Sequence, residues 1–317
     1  MILALALLAG AVLAGVVAPR FLHRLTTSRI PPAIVMTCWF LTSVGVLLTA
    51  FGGVALLFVP GHGPTQWLLD RFHGCWSALT HGGVPQLDDL FGTLGLMTLL
   101  TLVVRLGIGA IQCRSNAMSV HKRQLDLLRL AARREPGPVP LLWLDHDKPL
   151  AYSVAGRPPF VVVTTGLSKC LSPIEVDAVL AHEHAHLRGR HHVLTGLAEA
   201  AAWAFPFLPL MRQAPAAIRV LVEMAADSVA SAQYGSHVVR SALLRMGTDG
   251  SPRGALAIAD DDVEPRLHQL ERVTRRRSVL RVSGLLATGV VAAAMPAVLG
   301  FGLLAATTLV SCPLLDL

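Results

Sequence analysis

This sequence is short of charge. Only 15% of its 317 residues are Asp, Glu, Lys or Arg, while 53% are hydrophobic; a soluble globular chain carries about 25% charged residues. A membrane protein is therefore the first expectation. Lysine is nearly missing: of 27 basic residues only Lys122, Lys148 and Lys169 are Lys, a bias that points to a GC-rich bacterial genome. The five cysteines (Cys38, Cys75, Cys113, Cys170, Cys312) form no CxxC pair and no regular spacing, which argues against a disulfide framework and against a thiolate zinc site. Zinc-finger spacing, a basic helix with heptads and a run of interleaved aromatic and basic residues are all lacking too. The net charge of +7 is therefore not read as a sign of direct nucleic-acid binding.

What is there is clumped. Four apolar runs, about residues 2–18, 33–59, 90–112 and 283–310, are each close to the roughly 20 helical residues that a bilayer core about 30 Å thick requires. The first lacks the basic start of a signal peptide, its arginines (Arg20, Arg24, Arg29) following it instead, so it reads as an anchor. Arg105 interrupts the third run, and is expected to reach an interface or face other helices. Pro296 is expected to kink the fourth. Arg20, Arg24 and Arg29, then Arg114, Lys122 and Arg123, then Arg275, Arg276, Arg277 and Arg281 all fall on one side of these spans, and basic clusters mark the cytoplasmic side.

The expected layout is a mainly α, four-span protein of a bacterial cytoplasmic membrane with both termini outside. Residues 1–112 hold three spans, 113–282 a cytoplasmic α+β zincin-like domain, and 283–317 the fourth span and a short outer tail. Cys75 and Cys312 then share the oxidising side, where a disulfide between them is one option and two free thiols the other.

The chemistry concentrates in the polar domain. Ser172-Pro173-Ile174-Glu175 reads as a helix start, with Ser at the cap, Pro at the first helical position and an acid three residues after the cap. The helix runs on to Ala181-His182-Glu183-His184-Ala185-His186. Residues four apart lie one turn along and about 40° around a helix, so His182 and His186 can reach one metal ion, with Glu183 beside them as a base for the attacking water. A catalytic zinc needs a third protein ligand. In Leu221-Val222-Glu223-Met224-Ala225-Ala226-Asp227, Glu223 is the natural candidate, and Asp227, one turn on, can hold a ligand histidine from behind. His184, His191 and His192 lie off the shared face and read as solvated. Tyr234 and His237 are candidate oxyanion donors, with plain surface residues the alternative.

Upstream, 151–154 and 160–165 read as two strands around Gly156-Arg157-Pro158-Pro159. They form either a sheet edge that a substrate chain can join or a purely structural hairpin. The run 194–211 is interrupted by Glu199 and Pro206 and reads as a buried or interface-lying helix.

These motifs, Ala151-Tyr152-Ser153, Thr165-Gly166-Leu167, Leu171-Ser172-Pro173-Ile174-Glu175, Val179 to His186 and Glu223-Met224-Ala225-Ala226-Asp227, resemble the zinc peptidases of the BlaR/MecR antirepressor family, which are related to the HtpX-type and CAAX prenyl proteases. The resemblance implies His182, His186 and Glu223 as Zn2+ ligands, Glu183 as the base and Asp227 behind His182. It implies a protein substrate as partner, by family habit a DNA-binding repressor cut in response to an outside signal. The best-known members carry a penicillin-binding sensor domain after the last span, whereas this sequence runs only to Leu317, so a member without that sensor is expected. HtpX-type relatives, with two spans before the motif and two after, suggest a second biology, quality control of membrane proteins. A non-catalytic zinc-containing scaffold is a third reading, one that would leave Glu183 dispensable.

Overall fold

The computed structural model describes residues 2–26, 30–57, 132–248 and 260–273 apart from 138 and 157, with scattered helical residues between 97 and 115 and at 294, 295 and 298. Two long helices come first, α1 (Ile2–Thr26) and α2 (Pro32–Leu57). Both are long and apolar enough to cross a membrane, over Leu5–Thr26 and Pro32–Leu56. The third expected span is described only at scattered residues, and most of the fourth, with Cys75 and Cys312, lies outside the described residues.

One face of α1 is made of small residues, Ala11, Ala14 and Ala18, all buried. Small side chains let helix backbones approach closely, and this stripe meets Val35, Trp39 and Val46 of α2 in one core. The opposite face leaves Val12, Val16 and Phe21 exposed, the distribution expected of helices whose outer surroundings are themselves apolar.

A four-stranded sheet follows, β1 (Ala132–Glu135), β2 (Leu141–Leu144), β3 (Ala151–Val154) and β4 (Phe160–Thr164), in the order β1-β2-β4-β3. The expected hairpin is present: β3 pairs antiparallel with β4, Ala151 opposite Val163 and Val154 opposite Phe160. The partners β1 and β2 carry no strong alternation and were not expected; β2 runs parallel to β4. Every residue of β4 is buried, which a central strand covered on both faces allows and which a run of β-branched residues favours. Val161 and Val163 pack on Leu167 and Leu171, and Val162 on Leu142. Fully burying each Val contributes about 1.5–3 kcal/mol. Central placement of β4 leaves β3 at the edge.

The rest is helical: α3 (Thr165–Cys170), α4 (Pro173–Arg188), α5 (His191–Ala204), α6 (Pro209–Tyr234), α7 (Ser236–Thr248) and α8 (Asp260–Val273). The start of α4 is as the sequence implies. The Glu175 carboxylate accepts from the Ser172 N–H at 2.8 Å and the Ser172 hydroxyl at 2.7 Å. It also accepts from Ser241 of α7 at 2.6 Å, which ties two helices together. The 26-residue α6 joins the two parts of the molecule. Its first half packs on α1 and α2 through Leu210, Ile218 and Leu221, and its second half crosses α4 and reaches α7 and α8 through Ala230.

Candidate metal centre

The crossing of α4 and α6 brings His182, His186 and Glu223 together. The two histidine Nε2 atoms lie 3.0 Å apart. Glu223 sets Oε2 3.3 Å from His182 Nε2 and Oε1 3.4 Å from His186 Nε2. Four ligands at 2.0–2.1 Å around a tetrahedral zinc are separated from one another by about 3.3 Å, so the donor atoms already stand at the spacing such an ion requires. Among the described residues, these three form the group of His, Cys, Asp or Glu able to share a metal.

Behind each histidine stands a different partner. His182 donates from Nδ1 to Asp227 Oδ1 at 2.9 Å, and its Nε2 faces Glu223 and His186. Asp227 is almost fully buried and is gripped from the far side by Arg266 of α8, Nε to Oδ2 at 2.7 Å and Nη2 to Oδ1 at 2.9 Å. A third guanidinium nitrogen, Nη1, lies 3.3 Å from Glu223. One Arg fork thus orients both acids of α6, a role suited to the planar, bidentate guanidinium.

His186 meets another imidazole instead: its Nδ1 lies 2.9 Å from His191 Nδ1. The expectation that His191 is solvated is wrong. Only 8% of it is exposed, because the chain reverses sharply after α4, through Arg190 in the left-handed region at φ 49°, and folds the next side chain back onto the histidine helix. The niche depends on Gly189, where a Cβ would stand 2.4 Å from His191 Nε2. His184 is half-buried and His192 exposed.

The charges of the site are strongly coupled. Burial alone would lower the His182 pKa, but its hydrogen bonds to Asp227 and Glu223 dominate and raise it to about 10. The same groups would hold a cation, and a proton and a metal ion compete for such a site. Glu223 resists burial because His182 and Arg266 favour its charged form, holding it at about 2, and Asp227 is held still further below the usual range by the same two neighbours. His186 falls to about 4 through burial and the nearby His182 and Arg266 cations. His191 falls to about 4 through burial and the neighbouring His186. A neutral His191 can accept from His186 Nδ1–H, the tautomer that frees His186 Nε2 for a metal.

Glu183 lies on the sheet side of α4. Burial pushes its carboxyl up, opposed by the positive His182 and by hydrogen bonds from Ser153. Ser153 belongs to the edge strand β3, so the carboxylate sits between the three ligand residues and a sheet edge. Tyr234 and His237 are not brought here. Tyr234 lies eleven residues past Glu223, about 16 Å along α6, against Ala178, Ala230 and Val238, and His237 is exposed at the start of α7. The helix that carries Glu223 leads away from the metal, which separates them from it.

Sequence reasoning missed three residues: His191, Ser153 and Arg266. The spacing of His186 to His191 is visible but gives no sign of the reversal at Gly189-Arg190. Ser153 was read only as part of a strand. Arg266 is 39 residues from Asp227 and carries no local signal.

Residues 114–244 match the profile of Peptidase family M48, a stretch that contains α4 and α6 with all five expected metal-centre residues but not α8. Over 90 residues, 27% of this chain and 32% of the relative, the sequence is 32% identical to a protein named Protease HtpX homolog from Thermodesulfovibrio yellowstonii. Over 115 residues, 35% of this chain and 32% of the relative, it is 31% identical to Plastoglobule-localized metallopeptidase 48, chloroplastic, of Arabidopsis thaliana. The chain thus spans about a third of the length of each of these relatives. No solved structure matches it significantly.

Proposed function

We propose, from the match of residues 114–244 to the profile of Peptidase family M48, that this chain is an integral membrane zinc endopeptidase. The observation that carries the reading is the triangle of His182, His186 and Glu223 donor atoms at 3.0–3.4 Å. Two imidazoles and one carboxylate are a catalytic zinc set that leaves one position for water or substrate. A bound ion would supply a Lewis acid that polarises the scissile carbonyl and makes a water acidic.

The chain's own groups do the rest. Glu183, raised in pKa by burial, is suited to take a proton from the attacking water and return it to the leaving amine. The C–N bond breaks, water is consumed, and a carboxyl and an amine are formed. Asp227 keeps His182 in the tautomer that binds through Nε2. The edge of β3, unpaired among the described residues and joined to Glu183 through Ser153, would align an extended substrate chain as a fifth strand.

Two readings of the substrate stand. A cytoplasmic repressor cut in signal response follows from the BlaR/MecR resemblance. The likeness to an HtpX homologue favours a broader protease of membrane proteins. Purified Glu183→Ala is expected to keep its metal and to lose about 10²–10⁴-fold in cleavage rate; cleavage at the wild-type rate would sink the mechanism. Trapping with the same variant in cells separates the readings: a single DNA-binding protein retained supports the first, many membrane proteins the second.

A further inference from the structure

The loop between α5 and α6 points away from the metal. Leu208, at that turn, stands where a Cβ on Gly15 would meet its Cδ2 at 2.9 Å, with Val46 Cγ1 4.0 Å from the same point. Gly15 is near the middle of α1 and Val46 near the middle of α2. Leu47 of α2 and Leu106 join Phe205, Leu208 and Met211 in one cluster. At the other end of this packing, His23, late in α1, bonds Gln213 at 3.1 Å.

We propose that α5 and the first turn of α6 form a re-entrant hairpin whose tip, Phe205-Pro206-Phe207-Leu208, lies at mid-depth in the bilayer that α1 and α2 cross, with Trp203 and Phe207 against lipid acyl chains. This rests on the reading of α1 and α2 as membrane spans. Residues 200–211 contain no ionisable side chain. Twelve such residues are too few to span a bilayer core of about 30 Å but suffice for a turn that enters and returns. The outward side chains are large and apolar, Phe207 65% and Trp203 42% exposed, and continue the exposed apolar faces of α1 and α2, which carry Val16 and Leu48. The expected buried or interface-lying helix is thereby sharpened to one that dips inward.

The backbone at the tip supports the same location. Hydrocarbon offers no water to satisfy peptide groups. Pro206 and Pro209 have no N–H to satisfy. Phe205 N–H donates to Ala201 C=O at 2.9 Å, Leu208 N–H to Phe205 C=O at 3.1 Å, and Arg212 N–H to Leu208 C=O at 3.0 Å. The Trp203 carbonyl, at the end of α5 where helices run out of internal donors, accepts from Arg105 Nη2 at 2.9 Å, and the guanidinium lies 4.9 Å from the Trp203 ring. Arg105, the one charge in the third apolar run, thus closes the end of the hairpin.

The hairpin also sets the height of the metal centre. From Leu208 to Glu223 is 15 residues of α6, about 22 Å. With the tip at mid-bilayer and about 15 Å of hydrocarbon in each leaflet, the metal centre stands about 7 Å outside the hydrocarbon, among the lipid headgroups.

The test is accessibility of single introduced thiols in the full chain reconstituted in phosphatidylcholine–phosphatidylglycerol vesicles, read peptide by peptide after exposure to a water-soluble maleimide. Ser168→Cys, on the polar domain, is expected to react freely. Leu48→Cys and Phe207→Cys are expected to react about tenfold or more slowly, because the thiolate is the reacting species and hydrocarbon suppresses its formation. Phe207→Cys reacting like Ser168→Cys while Leu48→Cys stays protected overturns the hairpin and leaves the spans intact. Leu48→Cys reacting freely overturns the membrane reading and the hairpin with it. A second measurement needs no variant: a phospholipid with a diazirine midway along its acyl chain is expected to label residues 200–211 of the wild-type chain, and label on α2 without label on that segment also overturns the proposal.

Discussion

Replacing His191 by Ala removes the hydrogen-bond partner of His186 while leaving all three proposed metal ligands in place. Losing a partner for a buried polar group costs about 1–3 kcal/mol, and loss of a group behind a ligand histidine typically weakens metal binding 10–100-fold. The His186 side chain is 16% exposed, so water can partly take the place of His191, and the expected effect is at the lower end, about tenfold. The assay is competition for Zn2+ against a chelator of known affinity, with the folded state checked by thermal unfolding. His191→Asn, whose Oδ1 is as many bonds from Cα as His Nδ1, is expected to recover most of the affinity. His191→Phe fills the niche beside Gly189 without an acceptor and is expected to behave like Ala. Unchanged affinity in the Ala and Phe variants would refute the positioning role, and an equal loss in all three variants, Asn included, would assign His191 to packing alone.

Arg266→Lys is expected to fall well short of wild type in zinc affinity, because an ammonium cannot reproduce the fork that holds Asp227 and Glu223 together. Arg266→Met is expected to cost about 3 kcal/mol of stability by leaving the buried Asp227 charge partly uncompensated; denaturant unfolding that gives wild-type stability would contradict this. Away from the metal centre, Ser241, Ser172 and Arg245 hold the Glu175 carboxyl below its ordinary value. A lowered folded-state pKa contributes stability that is fully present above the unfolded value and is lost as pH falls through the folded one. The stability gap between wild type and Glu175→Gln is therefore expected to be constant near neutral pH and to shrink below about pH 4.5; a gap that widens on acidification would contradict the arrangement.

The histidines and the first carboxylate were legible because their geometry is helical and local. Four residues along an α-helix fixes the His182–His186 spacing and the Glu223–Asp227 spacing whatever surrounds them. The capped start of α4 and the hairpin of β3 and β4 were readable for the same reason, since caps and turns are made by neighbours in sequence. Hydrophobic run length alone marked α1 and α2.

Tertiary structure decided which local pieces meet. Only the crossing of α4 and α6 brings Glu223 to the histidines, and only α8, arriving from 39 residues beyond Asp227, supplies Arg266. The left-handed turn at Arg190 converts His191 from an expected surface residue into the partner of His186, while the length of α6 carries Tyr234 and His237 away. Charged neighbours separate the histidines further: burial lowers both, but two carboxylates raise His182 to about pKa 10, whereas His186, beside the His182 and Arg266 cations, falls to about 4, a difference between identical side chains one helical turn apart. Residue type and spacing fix what a side chain can do; desolvation and long-range contacts, which no single segment contains, fix what it does.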